Sequence, residues 1–100
     1  MAFDEETVGK VWEKGTAVPG YDPRVHRKDQ CGAWMQFNER GNRNSALGWE
    51  IDHITPTSSG GGDQLSNLRP LQWENNVSKS DGRLVCVVVS KGNANVRVGG

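Results

Sequence analysis

The chain has 100 residues, 34% of them hydrophobic and 13 of them glycine, so its length and composition predict one small domain with extensive loops. Twelve basic and 12 acidic side chains give a formal net charge of zero, which argues against coating of nucleic acid by bulk positive charge. No apolar run is long enough to span a membrane and no signal peptide is visible, so we expect a soluble cytoplasmic protein.

The N-terminal part of the chain, residues 1–47, is expected to support the remainder. Val8–Trp12 predicts a short ordered piece, and Val18–Pro23 is rich in turn residues. The apolar positions of Arg24–Phe37 fit either a helical turn or one arm of a hairpin, and the sequence leaves both open. The core is expected to form around the four tryptophans, Trp12, Trp34, Trp49 and Trp73.

The two cysteines, Cys31 and Cys86, stand far apart in the chain, and neither belongs to a C-x-x-C pair. Two cysteines cannot form a four-cysteine zinc site. The sequence does not exclude a disulfide between them, but free thiols in a reducing cytosol are the simpler interpretation. We therefore expect two free thiols.

The centre of the chain predicts two short strands separated by a loop. Side chains alternate between two faces along 49–54, which is typical of a strand. Pro56 and three glycines predict that Thr55–Gln64 is a loop without a regular element. A second strand is expected over 66–70, with Pro70 at a sheet edge.

A helix and a hairpin are predicted to complete the chain. The helix is expected over 72–80, with Trp73 and Val77 on its buried face and Gly82 placed to end it. The β-forming residues that follow, interrupted by a turn, predict a C-terminal hairpin over 83–98.

Asp52 and His53 stand side by side where the first predicted strand ends. A carboxylate is a hard oxygen ligand for a divalent cation such as Mg²⁺. A neutral imidazole is suited to accept a proton from water near neutral pH. One metal ligand beside one base is a minimal hydrolytic centre.

A single carboxylate holds Mg²⁺ weakly, so a second protein oxygen is wanted. With roughly 100° of rotation per helical residue, Asn75 lies opposite the Trp73/Val77 face and is expected to point to solvent. Asn76 lies on the flank of that face, so helical register favours it as the second ligand. Lys79 follows three residues later and can reach the same phosphate.

The segments "WEIDHITP", "GGGD", "LSNLRPL" and "NNVSK" together resemble the HNH endonuclease family, in a variant whose third position is asparagine. "RKDQCGAW" is weakly similar to a segment that precedes the core in many members of that family. The resemblance covers 48–81 directly. It implies an α+β fold with a ββα-metal core, within a single nuclease domain of residues 1–100 that 1–47 supports.

The resemblance also implies roles for individual residues. His53 would be the general base that activates water, and Asp52 and Asn76 would hold one divalent ion, Mg²⁺ or alternatively Mn²⁺. Asn67, the middle residue of the motif, would position the base and tie down the loop. Asp63 would brace the loop through backbone hydrogen bonds.

Three basic side chains, Lys79, Arg69 and Arg83, are expected to contact DNA phosphates, and Glu50 is expected to form a structural salt bridge. The chain lacks the zinc-binding C-x-x-C pairs that many members use, so we expect no structural zinc. The terminal hairpin and the tryptophans would then hold the ends of the domain together.

These expectations describe a metal-dependent DNA endonuclease that leaves 5′-phosphate and 3′-hydroxyl ends. A monomer would nick, and a weak dimer could cut both strands. No recognition helix or zinc finger is visible, so we expect little sequence specificity unless a protein partner supplies it. Short proteins of this type are common in phages and mobile elements, which suggests a bacterial or phage origin. A non-catalytic nucleic-acid-binding module and an RNase or toxin-type nuclease stay open as alternatives.

Overall fold

The structure of the chain, a computed structural model, describes residues 3–80 and 82–99, and within them two helices and six strands form an α+β fold. The ends of the predicted domain and Asp81, the last residue of the predicted core motif 48–81, lie outside the described residues. In chain order the elements are α1 (Glu5–Trp12), β1 (His26–Lys28), β2 (Trp34–Gln36), β3 (Trp49–His53), β4 (Leu68–Gln72), α2 (Trp73–Val77), β5 (Val88–Lys91) and β6 (Ala94–Arg97).

Helix α1 is longer than the ordered piece predicted over Val8–Trp12. It begins at Glu5 because the Asp4 carboxylate caps it, accepting a 2.8 Å hydrogen bond from the Thr7 backbone nitrogen. Its buried face consists of Val8, Val11 and Trp12, which places the N-terminal segment on the core.

The segment Arg24–Phe37 forms a hairpin, which decides between the two arrangements that the sequence left open. β1 pairs antiparallel with β2. The turn between them is closed by a 2.9 Å hydrogen bond from the Gly32 nitrogen to the Asp29 carbonyl oxygen, with Gly32 at a φ of 84°. An aspartate at the first position of a turn and a glycine at the fourth are the residues that such a turn prefers.

The strand–strand–helix order expected in the centre of the chain is present, with shifted boundaries. β3 pairs antiparallel with β4, and α2 follows β4 directly. The second strand begins at Leu68 because Leu65–Asn67 forms a 3₁₀ turn. Another 3₁₀ turn, Thr57–Ser59, interrupts the loop that was predicted to have no regular element. The helix covers only Trp73–Val77 of the predicted 72–80, and Gly82 lies beyond its end.

The buried face of α2 is not the one that the sequence predicted. Val77 is 55% exposed, whereas Asn75 is fully buried. The expectation that Asn75 points to solvent is therefore wrong. Its amide nitrogen donates to Asp29 and to the Val88 carbonyl, and its oxygen accepts from the Val87 and Val88 nitrogens. Because these four bonds satisfy its polar atoms, the Asn75 side chain can be buried. Hydrophobic periodicity does not predict a buried polar residue of this kind.

Three of the four tryptophans are buried as expected, and Trp73 is half-buried. Trp12 and Trp49 belong to the main hydrophobic cluster together with residues of α1, β2 and β4. Every indole N–H donates to a backbone carbonyl, so the large rings are fixed in orientation. The acceptors are the carbonyl oxygens of Pro23, Gly92, Phe37 and Ser45.

Cys31 and Cys86 form a disulfide across 55 residues of chain, so the expectation of two free thiols is wrong. The pairing depends on the tertiary structure. The two Cα atoms lie 5.5 Å apart because the β1–β2 turn contacts the segment that precedes β5. Disulfides persist in oxidising compartments, so the cysteines no longer support a reducing one.

The C-terminal hairpin predicted over 83–98 is present in its second part, where β5 pairs antiparallel with β6. The Asn95 side chain fastens it to β2, because its oxygen accepts from the Trp34 nitrogen and its nitrogen donates to the Trp34 carbonyl. Within residues 3–80 and 82–99, neither helix has the length and apolar character needed to cross a membrane.

Candidate functional site

An open cleft lies where the end of β3 and the following loop face α2 and the residues just after it. β3 contributes Asp52 and His53 to its wall, and the helical side contributes Asn76 and Lys79. The complete lining is Ile51, Asp52, His53, Pro56, Thr57, Asn76 and Lys79. Four of the predicted site residues therefore share one solvent-accessible depression.

Asp52 is the most buried charged group of the cleft, and two cations bind its carboxylate. The Lys79 Nζ lies 2.6 Å from Oδ1, and the Arg69 Nε lies 2.7 Å from Oδ2. The Asp52 side chain is 4% exposed and its two partners are 12–13% exposed. A carboxylate this buried needs such partners, because an unpaired buried charge is strongly unfavourable.

The register of the sheet explains why Arg69 reaches Asp52. The two residues are direct partners across the β3–β4 ladder, so their side chains leave the same face of the sheet. The Arg69 Nη1 also donates to the Gln30 side chain at 3.0 Å. Arg69 was predicted to contact a phosphate. Its Nε and Nη1 instead donate to oxygens of the protein, on Asp52 and Gln30.

His53 is oriented by Asp63, whose Oδ1 lies 2.7 Å from the imidazole Nε2. The sequence predicted that Asp63 braces the loop through the backbone, whereas its carboxylate faces the imidazole. In a neutral histidine this bond requires the proton on Nε2 and leaves the lone pair on Nδ1. The His53 side chain is 23% exposed, so it remains open to water.

Asn67 ties down the loop that follows β3, as its predicted role requires. Its Oδ1 accepts from the Thr55 nitrogen at 2.8 Å, and its Nδ2 donates to the Thr55 and Gly62 carbonyls at 3.1 and 2.8 Å. These bonds go to backbone atoms, so Asn67 is a positioning residue. The close approach also requires a glycine at Gly61, where a Cβ would lie 1.8 Å from the Thr55 oxygen.

Asn76 lies beside Glu50, to which its amide nitrogen donates at 2.8 Å. Glu50 also forms the structural ion pair that was expected, with Arg43 at 2.6 Å. Burial raises the pKa of the Glu50 carboxyl, but hydrogen bonds from Arg43 and Asn76, and the Arg43 charge, lower it by more. The pKa of Glu50 consequently lies below its ordinary value. With its nitrogen used by Glu50, Asn76 has its carbonyl oxygen as the atom to offer a cation.

Within the described ranges, no group of three or more His, Cys, Asp and Glu side chains is placed to hold a metal ion. Mg²⁺ needs fewer, because it commonly takes one or two carboxylates and fills its other positions with water and substrate phosphate. The oxygens here already hold a cation: the Lys79 ammonium lies between Asp52 Oδ1 and the His53 carbonyl, 2.9 Å from the latter. The cleft offers one carboxylate and one amide oxygen, so a divalent ion here would need water and substrate phosphate to complete its coordination.

Arg83, the third predicted phosphate contact, does not line the cleft. Its backbone closes a turn with Ser80 after α2, and its side chain is exposed. Sequence reasoning missed Thr57, whose position in the 3₁₀ turn puts it on the cleft wall. The proline and the glycines of this segment predict a loop, but they do not single out Thr57.

Comparisons of the chain with protein-family models, with curated proteins and with solved structures each gave no match.

Proposed function

We propose that this chain is an HNH-type, metal-dependent endonuclease that hydrolyses DNA phosphodiester bonds. One observation carries the proposal: Asp52, His53, Asn76 and Lys79 line a single open cleft, although 27 residues separate the first from the last. In this proposal these residues supply a base, oxygen ligands and a cation to one substrate phosphate. The specific ββα-metal core is part of the proposal.

His53 accepts the proton of the attacking water at Nδ1. Asp63 holds the imidazole through Nε2, so the lone pair of Nδ1 stays available and the ring keeps one orientation. When the imidazole becomes positive, the Asp63 carboxylate stabilises it. Asn67 keeps the loop that carries Asp63 closed on the end of β3.

The metal would be held by the Asp52 carboxylate and the Asn76 amide oxygen. When bound there, a divalent ion would supply Lewis-acid stabilisation of the phosphate and of the leaving oxygen. Lys79 supplies a further positive charge on the same side of the cleft, where it can bind a non-bridging phosphate oxygen. Arg83 is the exposed cation that would extend phosphate binding beyond the cleft.

The formal net charge of zero and the small cleft around Asp52 favour nicking of one strand with little sequence preference. A protein partner or a second copy would supply specificity or a second cut. Mg²⁺ is the expected ion and Mn²⁺ an alternative. A bacterial or phage source belongs to the same proposal. The Cys31–Cys86 disulfide speaks against the cytoplasmic location expected from the sequence.

Plasmid nicking tests the proposal. Supercoiled DNA is incubated with the wild-type chain in Mg²⁺, in Mn²⁺ and in EDTA, and the same series is run with His53→Ala. His26→Ala is the matched control, because His26 is the other histidine and lies on β1, outside the cleft. We expect metal-dependent relaxation that His53→Ala loses and His26→Ala keeps. Intact plasmid and intact RNA in every metal would refute the catalytic function.

A non-catalytic nucleic-acid-binding module is the second candidate, and the paired state of Asp52 favours it. Both oxygens of this carboxylate are bound by side-chain cations, as in a purely structural ion pair. Retention of DNA at low salt without cleavage in any metal would support this alternative. Cleavage of RNA with intact DNA would instead indicate an RNase.

A further inference from the structure

We propose that Lys79 occupies the cation position of the cleft in the metal-free protein and moves to the substrate phosphate when a divalent ion binds. This inference rests on the proposed function, since it concerns the same cleft. It assigns Lys79 two successive partners, Asp52 and a phosphate, and makes it the residue that sets the affinity for metal.

The first step is that Lys79 and a divalent ion compete for one oxygen. Lys79 Nζ lies 2.6 Å from Asp52 Oδ1 and 2.9 Å from the His53 carbonyl. A Mg²⁺ ion bound to Oδ1 would lie about 2.1 Å from it, in the space that the ammonium fills. Arg69 binds the other carboxylate oxygen, so a divalent ion at either oxygen meets a positive charge that repels it unless one of the two side chains moves away.

The second step is that Lys79 is the side chain that leaves. Each side chain has one bond besides the one to Asp52, Arg69 to Gln30 and Lys79 to the His53 carbonyl, but only Arg69 is also the cross-strand partner of Asp52 in the ladder. Lys79 lies two residues beyond the end of α2, and its ammonium ends a flexible four-carbon stem. It also lines the open cleft, so it can turn toward solvent or toward a bound phosphate without disturbing the sheet.

The third step is that the charges around the cleft favour this exchange. Lys79 and Arg69 both bind the Asp52 carboxylate, and Arg43 binds Glu50 beside it, so neither carboxylate keeps an uncompensated negative charge. Without substrate, a divalent ion therefore meets a neutralised site and binds weakly. When a nucleic-acid phosphate enters, it attracts Lys79, and Asp52 Oδ1 becomes free for the metal. Binding of metal and of substrate would then strengthen each other.

Metal affinity of the protein alone tests the exchange. Mn²⁺ is titrated into the wild type and into Lys79→Met and Lys79→Arg without DNA, and free Mn²⁺ is followed by its electron paramagnetic resonance signal. We expect Lys79→Met to bind Mn²⁺ roughly tenfold more tightly or better, because a competing charge close to the ligand is gone. Lys79→Arg should keep the weak affinity of the wild type. Asp52→Asn added to Lys79→Met should abolish the gain.

The control variant is Lys10→Met, which removes a lysine from α1, where Lys10 pairs with Glu6. An equal gain in Lys10→Met would reduce the effect to net charge and overturn the proposal. So would an unchanged affinity in Lys79→Met, or no saturable binding by any variant. The nicking assay distinguishes this inference from the proposed function. If the wild type nicks DNA but Lys79→Met binds Mn²⁺ no more tightly, only the exchange of Lys79 for a metal is refuted. Tighter Mn²⁺ binding at Asp52 without any nicking refutes the nuclease alone.

Discussion

Two buried aspartates of this chain are satisfied in different ways. Asp29 is 4% exposed and accepts four hydrogen bonds, from the backbone nitrogens of Cys31, Ala33 and Gln72 and from the Asn75 amide. Asp52 is 5% exposed and is bound by the ends of two cationic side chains. We call Asp29 and its four hydrogen-bond donors the Asp29 centre. We call Asp52 with Arg69 and Lys79 the Asp52 centre.

The difference lies in what can move. The donors at Asp29 are three backbone nitrogens and one side-chain amide, from its own β1–β2 turn and from the junction of β4 with α2, so releasing this carboxylate means separating these two segments. The donors at Asp52 are long side chains that can turn away while the strands stay paired. Burial alone therefore does not identify a functional carboxylate. The proposed function requires partners that can be exchanged, since a catalytic ligand must be available at some stage of the cycle.

The largest stability loss is expected from cutting the disulfide beside the Asp29 centre. Cys31→Ser with Cys86→Ser reopens a loop of 55 residues in the unfolded chain, for which the chain-entropy estimate is about 4 kcal/mol. Urea denaturation of the oxidised wild type and the double variant measures this loss. At a temperature where the variant remains folded, nicking should persist, because the disulfide does not touch the cleft. Loss of nicking in the folded variant would contradict the separation of the two centres.

Asp29→Asn is expected to cause the second-largest loss of stability. An amide nitrogen would replace one acceptor oxygen and face N–H donors, so we expect a loss of about 3 kcal/mol in the free energy of unfolding. Thermal and urea unfolding provide the measurement. A variant as stable as the wild type would mean that the four bonds at Asp29 contribute little to the fold.

The two neighbouring asparagines of α2 test the same comparison. Asn75 donates to Asp29, whereas Asn76 lines the cleft beside Asp52. Asn75→Ala leaves buried donors and acceptors unpaired and should cost about 1–3 kcal/mol of stability. Asn76→Ala loses one partly exposed bond to Glu50 and should cost less, about 1 kcal/mol or under, while nicking falls. The reverse pattern, with Asn75 needed for nicking and Asn76 for stability, would exchange their proposed roles.

The smallest effect is the pH dependence at Glu50, next to the Asp52 centre. Its pKa in the folded protein lies below the ordinary value of 4.5, so its stabilising contribution is present above about pH 4.5. The contribution is lost as pH falls through the lower folded pKa. Unfolding of the wild type and Glu50→Gln should therefore differ at neutral pH and converge in acid. A difference that stays constant from neutral to acidic pH would contradict this assignment.

The sequence predicted local elements well where the signal was itself local. Alternation along residues 49–54 predicted β3 with an error of one residue, and four of the seven residues that line the cleft were among the predicted site residues. The aspartate and glycine of the β1–β2 turn also carried a usable turn signal. Read as such, the spacing of Asp29 and Gly32 would have favoured the hairpin in advance.

The errors came from tertiary contacts that no periodicity records. Asn75 is buried because Asp29, far away in the chain, and the backbone of β5 meet it. The disulfide depends on the same meeting of segments. The ion pairs of Asp52 were not anticipated either, because cross-strand register fixes one and the end of a short helix fixes the other.

The measurement that tests the account most directly is Asp52→Asn, with nicking and unfolding recorded on the same preparation. Both former partners of Asp52 can turn into clefts that reach water, so we expect a smaller loss of stability than in Asp29→Asn. Nicking should fall by roughly a hundredfold or more, because removing a metal ligand costs several kcal/mol of transition-state stabilisation. Unchanged nicking, or unfolding as severe as in Asp29→Asn, would contradict the claim that Asp52 is held for function and Asp29 for the fold.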